Sequence, residues 1–441
     1  MRRIPRGMAV AVGAGLLLAA CSSGTTDTTT GGATSPATET ATESATPSES
    51  ATDAAPVRGN EDLVIWTDDT HLAAMQAVAD TYAAANGITV GVQAVTDTRA
   101  AFITANQAGN GPDVLVGAHD WIGQLVQNGA IDPLQLPADQ VAKYSPTAIK
   151  AVTYDSQLYG LPYGVESLAL FCNKSVVGDT TFATLDDAIA AGQKAVDAGT
   201  VESALNLPVG ENGDAYHMEP LFTSAGGYLF GKDADGNYNP NDLGLDSPGG
   251  LAAAKKIGEL GEKGQNVLRT SISSDNNISL FADGKAACMI SGPWALNDVR
   301  KGLGNDGYTL QPIPGFKGMN PAQPFMGAQA FYVASKGKNK SFAQDFIING
   351  VNNVDAMTTL YEKANLPPAM TAVRDSIQQD NPDFAVIAQA AEKADPMPAI
   401  PAMAEVWQPL GVAYADIVAG KDPEQSMKDA ATAIRTAIAG S

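Results

Sequence analysis

The sequence predicts an α/β fold with two lobes, and three observations support this. Beyond residue 60, short continuously apolar stretches alternate with stretches of helical periodicity, as in folds whose helices cover both faces of a sheet. The chain has 441 residues, 44% of them hydrophobic and 17% charged, whereas one core rarely exceeds about 250 to 300 residues. No change in composition separates two halves, so we expect the chain to cross between the lobes more than once.

The first elements after residue 60 alternate strand and helix. LVIWT at 63–67 is a strand, with Trp66 expected in the core. The next helix ends at Gly87, and its apolar residues share one face: Leu72, Met75, Val78 and Tyr82. ITVGVQAV predicts the second strand, 97–108 the next helix, and DVLVGA at 113–118 the third strand.

Helix start and stop signals continue along the chain. The capping box at 184–187 opens a helix that ends at Gly199. Ser-Pro at 247–248 opens another, which ends at Gly264. KAACMISGPW is an apolar strand that enters a loop. Asp-Pro at 422–423 starts the last helix, whose apolar face holds Met427, Ile434 and Ile438.

The N-terminus predicts export and lipidation. Three arginines precede AVAVGAGLLLAA, which is too short to span a bilayer comfortably. Leu18–Cys21 resembles a bacterial lipoprotein signal, which implies that residues 1–20 are removed and that Cys21 carries lipid such as palmitate. A plain signal peptide with a chance cysteine is the alternative. Residues 21–59 have no aromatic residue and little to bury, so we expect a flexible tether.

The charge of the chain excludes some partners. The sequence has 27 basic and 48 acidic residues, and loss of the three signal-peptide arginines leaves a net charge of −24. A field of that sign repels nucleic acid and anionic lipid headgroups. We therefore expect no nucleic-acid partner, and membrane contact only through the lipid anchor.

Two cysteines follow Cys21. Cys172 and Cys288 both lie in apolar, strand-like stretches. They could form a disulfide in an exported protein if their strands are neighbours. Two separately buried thiols are the favoured alternative.

Few residues suggest catalysis. The three histidines have no HExxH or HxH spacing, CxxC is absent, and neither a P-loop nor a GxSxG motif occurs. We expect no metal, no cofactor and no catalytic residue. Paired carboxylates could still form a glycosidase, and the candidates near strand ends or loops are Asp69, Asp120, Glu166 and Asp214.

The tryptophans suggest a sugar site. Trp121, Trp294 and Trp407 lie at strand or helix ends, and open α/β folds bind ligands beyond the carboxyl ends of their strands. Sugar rings stack on aromatic faces, and their hydroxyls donate to carboxylates. A core position is the alternative for Trp294 and Trp407.

The chain resembles a known family, the bacterial extracellular solute-binding proteins of the maltose/maltodextrin-binding type, over nearly all of residues 60–441. The resemblance rests on the order of these stretches: LVIWTDD, GNGPDVLVGAHDWIGQLVQNGAI, YGLPYGVESLALFCNK, AGGYLF, FADGKAACMISGPW, PFMGAQAF and MPAIPAM with Trp407. It implies a two-lobed periplasmic-binding-protein fold of type II, with a hinge of crossing segments and a ligand cleft. The implied lobes are 60–165 with 328–378, and 166–327 with 379–441.

The resemblance also implies ligand-binding residues. The residues that match hydroxyl acceptors, stacking rings and an apolar wall are Asp69, Asp120, Glu166, Asp214, Tyr216, Trp294, Met397 and Trp407. Asp120 could alternatively cap the helix that follows it.

Several positions depart from the family. Gly117 stands where the maltose-binding proteins have a tryptophan, and Trp121 where they have a basic residue. Arg99 replaces an acidic residue, Thr70 replaces a lysine, and an arginine is missing near Gly411. We expect Arg99 and Trp121 to be ligand-binding as well, with the aromatic ring moved from 117 to 121.

The expected function is that of a monomeric, lipid-anchored receptor on the outer face of the cytoplasmic membrane of a Gram-positive-type cell. It would bind maltose or maltodextrins, with cyclodextrins as a further candidate, and deliver them to an ABC permease. The alternatives are a receptor for another solute, such as another oligosaccharide, a polyamine or ferric ion, and a surface glycoside hydrolase.

Overall fold

The computed structural model describes residues 57–234, 236–377 and 379–440. The predicted signal peptide, Cys21 and nearly all of the predicted tether lie outside these residues. Within them, no helix combines the length and apolarity needed to cross a membrane.

The described residues form strands and helices in alternation. The strands are β1 (Leu63–Thr67), β2 (Val90–Ala94), β3 (Val114–Ala118), β4 (Ile131–Asp132), β5 (Thr153–Tyr154), β6 (Gln157–Leu158), β7 (Gly160–Glu166), β8 (Ala169–Asn173), β9 (Ser203–Asn206), β10 (Phe230–Lys232), β11 (Tyr238–Leu243), β12 (Ala286–Ser291), β13 (Tyr308–Pro312) and β14 (Gly327–Ala334). The helices are α1 (Leu72–Asn86), α2 (Thr98–Gln107), α3 (Ile122–Gln127), α4 (Ala138–Val141), α5 (Pro146–Ala151), α6 (Lys174–Val177), α7 (Leu185–Asp197), α8 (Ala215–Ser224), α9 (Pro248–Leu260), α10 (Asn277–Ala282), α11 (Leu296–Leu303), α12 (Lys340–Asp345), α13 (Val354–Ala364), α14 (Thr371–Ile377), α15 (Pro382–Lys393), α16 (Trp407–Val418) and α17 (Pro423–Gly440). Short 3-10 turns cover His119–Trp121, Pro293–Ala295 and Pro401–Glu405, and a π-helical turn covers Phe346–Val351.

The first large sheet has the strand order β2-β1-β3-β14-β4, and β7 also pairs with β14. β1 is parallel to β2 and β3, whereas β14 is antiparallel to β3, β4 and β7. Side chains on both faces are buried: Leu63 and Ile65 join one core cluster, and Val64 and Trp66 join another. The predicted core position of Trp66 is confirmed, and its indole N–H donates to Gln93 over 2.8 Å.

The second large sheet has the order β13-β8-β12-β9. β8 is antiparallel to β12 and β13, and β9 is parallel to β12. This sheet also has a core on each face, with Leu170 and Ile290 in one cluster and Phe171 and Met289 in the other. Each large sheet therefore has its own hydrophobic core, as the predicted two-lobed α/β fold requires.

Cys172 and Cys288 form a disulfide. The prediction of two separate thiols was therefore wrong. The two residues face each other directly on β8 and β12, with Cα atoms 4.1 Å apart. The spacing matches that of a non-hydrogen-bonded antiparallel pair, in which side chains approach most closely. Sequence alone could not show that strands 116 residues apart are neighbours.

Three segments connect the two sheets, and they are hydrogen-bonded to one another. The first joins β7 to β8, and the second joins β13 to β14. The third joins α15, which contacts strands of both sheets, to α16, which packs in the second core. The Ser167 hydroxyl donates to the carbonyl of Phe325 over 3.1 Å. The Met326 N–H donates to Asp395 and the Met397 N–H to Met326, both over 3.0 Å.

Most predicted helix boundaries agree with the structure. α1 ends before Gly87, which has φ 64°, and the Thr184 hydroxyl accepts from the Asp187 N–H at the start of α7. The helix expected to run to Gly264 instead ends at Leu260. The backbone there turns towards α16, and a Cβ on Gly261 would lie 2.6 Å from the carbonyl oxygen of Val418. This close approach replaces the last expected turn of the helix.

Candidate functional site

The candidate residues follow the ends of buried strands. β1 leads into Asp68, β3 into His119, and β12 into Gly292, and β7 itself ends at Glu166. Because β1 and β3 are parallel, their carboxyl ends reach the same edge of the first sheet. Asp68 and the turn His119–Trp121 therefore lie at one edge of this sheet.

His119 has a structural role. Its ring is fully buried, Nδ1 accepts from the Ala328 N–H over 3.0 Å, and Nε2 donates to the carbonyl of Met397 over 3.1 Å. Burial lowers the pKa of His119 to about 4, so the imidazole is neutral near pH 7. The ring thereby joins the end of β3 to β14 and to the third connecting segment.

Asp120 is the most buried of the four predicted acids. It is 5% exposed, and burial raises the pKa of its carboxyl to about 6. The positive charge of Arg99 and a hydrogen bond from the Trp407 side chain act in the opposite direction, whereas the charge of Glu166 raises the pKa further. Asp120 does not cap α3, because the residue at the cap position is Trp121, without a side-chain bond.

Glu166 lies where the chain passes from the first sheet to the second. Its side chain is half-buried, and Oε1 is 3.5 Å from Nε2 of Gln329. Burial raises the pKa of Glu166, and the charge of Asp68 adds to this effect. His71 and His217 act against it, so Glu166 lies within electrostatic range of both histidines.

Two Asp-x-x-His pairs have the same geometry. Asp68 accepts from the backbone N–H of His71 over 2.9 Å and from Nδ1 over 2.8 Å. Asp214 accepts from the backbone N–H of His217 over 2.9 Å and contacts its Nδ1 at 2.7 Å. Burial would raise the pKa of each aspartate, but the bonds and charge of the histidine together lower it. Each carboxylate thus holds a proton on Nδ1 and leaves Nε2 as the free nitrogen of the ring.

Four aromatic rings form a row beside these groups. The ring of Tyr216 is stacked on Phe325, with centroids 6.2 Å apart, and lies 6.3 Å from Trp294. Phe325 makes an edge contact with Trp407, also at 6.2 Å. His217 meets Trp294 edge-on at 6.0 Å. The row brings together three of the predicted stacking residues, and it adds Phe325, which the sequence did not single out.

Trp121 covers Gly117. A Cβ on Gly117 would lie 2.1 Å from Cζ3 of the Trp121 ring, far inside contact distance. The ring at 121 therefore occupies the space that any side chain at 117 would need. That an aromatic ring moved from position 117 to position 121 stays a prediction.

Two predicted residues lie apart from this group. Asp69 is exposed, whereas the neighbouring Asp68 is the acid that interacts with Glu166. Met397 is buried and lines a cavity of about 980 Å³. His119 also lines it, and Met397 is the one predicted ligand-binding residue in this lining. Asp68, His71 and His217 were not predicted, although the repeated Asp-x-x-His spacing in DDTH and DAYH could have revealed them.

The family follows from comparison with known proteins. Residues 77–386 match the family described as bacterial extracellular solute-binding protein. The chain belongs to this family. The three relatives described next are all named as binding proteins.

Three relatives illustrate the similarity. A galactooligosaccharide-binding protein of Bacillus subtilis is 31% identical over 337 residues, which cover 74% of this chain and 76% of that protein. The maltodextrin-binding protein MdxE of the same organism is 28% identical over 400 residues, covering 88% and 93%. A maltooligosaccharide ABC transporter solute-binding lipoprotein of Streptococcus pneumoniae is 29% identical over 340 residues, covering 76% and 78%.

Proposed function

We propose that this solute-binding protein is the extracellular receptor of an ABC sugar importer and binds maltodextrin-like oligosaccharides. One observation carries the proposal: the buried carboxylate of Asp120 meets the indole of Trp407, at one end of the row of aromatic rings. A carboxylate accepts hydrogen bonds from sugar hydroxyls, and the C–H surface of a sugar ring stacks on aromatic faces. The names of the three relatives support an oligosaccharide as ligand.

The proposed site consists of residues from both cores. Asp120, Arg99 and Trp121 would contact the sugar from the first lobe, together with Asp68 or Asp69. Glu166 and the remaining predicted residues would contact it from the second lobe: Asp214, Tyr216, Trp294, Met397 and Trp407. The histidines of the two Asp-x-x-His pairs add one nitrogen from each side.

Binding would close a hinge. The proposed lobes are 60–165 with 328–378 and 166–327 with 379–441, and the three hydrogen-bonded connecting segments support a hinge at their junction. Changing an open-to-closed ratio from 1:99 to 99:1 requires about 5.5 kcal/mol of differential affinity. Two or three hydrogen bonds to charged groups, at about 1.5 to 3 kcal/mol each, give about 3 to 9 kcal/mol, a range that includes this amount. The closed form would then dock on the permease.

Galacto-oligosaccharides are a second candidate, because the relative named for them is 31% identical to this chain over 337 aligned residues. Tryptophan fluorescence separates the candidates when the protein is titrated with maltotriose, longer maltodextrins, cyclodextrins and galactotriose. A saturable change with the α-glucans alone supports the first proposal, and a change with galactotriose alone supports the second. If the wild-type protein instead cleaves the oligosaccharide into shorter sugars and Glu166→Gln does not, the protein is a hydrolase.

We also propose that lipid on Cys21 tethers the receptor to the outer face of the cytoplasmic membrane of a Gram-positive-type envelope, where it acts as a monomer. The lipoprotein-like signal and the name of the pneumococcal relative support the anchor. Radiolabelled palmitate should enter the protein, and Cys21→Ala should abolish labelling and release the protein into the medium. Membrane retention of the variant would refute the anchor.

A further inference from the structure

A cavity of about 570 Å³ lies beside β10 and β11, and none of the predicted sugar-binding residues lines it. Leu229, Phe230 and Phe325 form a buried, apolar part of its lining. Tyr228, which is 38% exposed, and the exposed Gln323 lie where the cavity meets solvent. An apolar interior with a polar rim is the usual form of a small-molecule site.

Glu219, on α8, is a buried acidic residue in the lining of this cavity. Its residue is 3% exposed, and Oε2 has no hydrogen-bond partner among the described residues. The nearby Tyr414 hydroxyl also lacks a partner there, and the charge of Glu219 contributes to raising the pKa of Tyr414 after burial. An unpaired buried polar group costs about 1 to 3 kcal/mol. A ligand that donates to Glu219 would remove that cost.

The remaining lining favours a positive charge. Four aromatic rings contribute to it: Tyr228, Phe230, Tyr238 and Phe325. The protein's own ammonium group on Lys232 already lies 4.9 Å from the centroid of the Tyr238 ring and pairs with Asp395 at 2.7 Å. The charges of Lys232 and Asp395 thus balance each other. Among the described acids of the lining, Glu219 is the one without a partner of opposite charge. Aromatic faces with a carboxylate attract ammonium groups, and the chain carries a net charge of −21.

We propose that this cavity is a second ligand site, for a small organic cation whose primary ammonium group pairs with Glu219 and whose aliphatic body packs on the aromatic rings. An ammonium group needs only a few acceptors, whereas a sugar ring carries several hydroxyls that each require a partner. Among the described residues, the buried interior offers Glu219 as its one acidic partner. A neutral sugar is therefore the poorer match.

Binding of a cation would release a proton. Burial raises the pKa of Glu219 to about 8, so the carboxyl is mostly protonated near pH 7. The other titratable groups around the cavity are Lys232, Asp395, Tyr228, Tyr238 and Tyr414. When the ammonium group binds, the carboxyl loses its proton to the solvent and becomes the counter-ion. The ammonium keeps its own protons, so about one proton is released per cation bound.

Isothermal titration of the full chain with n-butylamine hydrochloride near pH 7 tests the proposal. Three proteins are compared: the wild type, Glu219→Gln, and Glu202→Gln as a control at an exposed acid. Butan-1-ol serves as the neutral analogue and maltotriose as the sugar. We expect saturable butylamine binding that weakens about tenfold or more in Glu219→Gln and is unchanged in Glu202→Gln. Maltotriose binding should be the same in all three proteins.

Several results would overturn the proposal. They are no saturable heat up to about 100 mM butylamine, equal binding by Glu219→Gln, equal binding of butan-1-ol, and displacement of butylamine by maltotriose. If Glu219→Gln does not fold, the wild type is titrated in two buffers of different ionisation enthalpy, and the difference in heat gives the number of protons released on binding. Release of a proton on binding supports the site, and binding without release overturns it. A failure here leaves the proposed sugar receptor intact, because Glu219 is not part of that site and the two sites share only the Phe325 ring.

Discussion

The side chain of Trp407, at the start of helix α16, lies close enough to the carboxylate of Asp120, just after strand β3, to lower the pKa of that carboxyl. The two elements belong to different cores, because α16 packs with the second sheet and β3 lies in the first. If the proposed hinge operates, a contact between the lobes would form only when they are together and would couple ligand binding to closure.

Removal of this contact should weaken sugar binding. Asp120→Asn takes away the charged acceptor, and Trp407→Phe takes away the indole N–H while keeping a ring. We expect each to reduce oligosaccharide affinity about 10- to 100-fold, measured by isothermal titration. Gln408→Ala, at an exposed position of the same helix, is the matched control. Unchanged affinity in both variants would remove Asp120 and Trp407 from the site.

Asp120 should make stability depend on pH. Burial raises its pKa to about 6, above the roughly 3.9 of an unfolded aspartate. Its contribution to the free energy of unfolding is therefore fully present below about pH 4 and is lost as the pH rises through 6, by up to about 3 kcal/mol. Urea unfolding at several pH values should show this loss in the wild type and not in Asp120→Asn. Glu219, whose pKa burial raises to about 8, is present in both proteins, so the difference between the curves isolates Asp120. Parallel curves would contradict the assignment.

Gly117 and Trp121 should be coupled. Gly117→Ala places a methyl group against the Trp121 ring, and we expect it to reduce the free energy of unfolding by about 1 to 3 kcal/mol. Trp121→Ala opens that space, so adding Gly117→Ala to it should have little further effect. A double-mutant cycle by urea unfolding measures the coupling. Additive effects would mean that the two positions do not compete for one space.

The disulfide should stabilise the second sheet. Replacing Cys172 and Cys288 together with alanine should lower the free energy of unfolding by about 2 to 5 kcal/mol. Thermal unfolding with and without reductant provides the comparison. The wild type should lose stability with reductant, and the double variant should not respond to it. A wild type that is insensitive to reductant, once its thiols are shown to be free, would argue against a structural role for the bond.

Local sequence signals predicted much of the fold. The strand at 63–67 and the helix that ends at Gly87 match the structure, because apolar periodicity and a left-handed glycine act within a few residues. The disulfide and the early end of α9 were missed, since both depend on segments far apart in sequence.

The candidate site shows the same limit. The resemblance to a family pointed to Asp120, Glu166, Trp294 and Trp407, which the structure brings near one another. It pointed to Asp69, whereas the carboxylate bonded to His71 is that of Asp68, because the conformation of the turn after β1 decides which of the two faces His71. Phe325 was missed because its place in the aromatic row depends on a connecting segment that carries no regular pattern.

The most direct test is to identify the ligand that the receptor retains when it is purified from its native source after growth on maltodextrins. The protein is unfolded, and the released molecule is identified and counted by mass spectrometry. We expect a hexose oligosaccharide, about one per protein molecule, and its loss when Asp120→Asn and Trp407→Phe are combined. A non-sugar solute in stoichiometric amount, or wild-type protein that retains no saccharide and binds none when it is added back, would contradict the account.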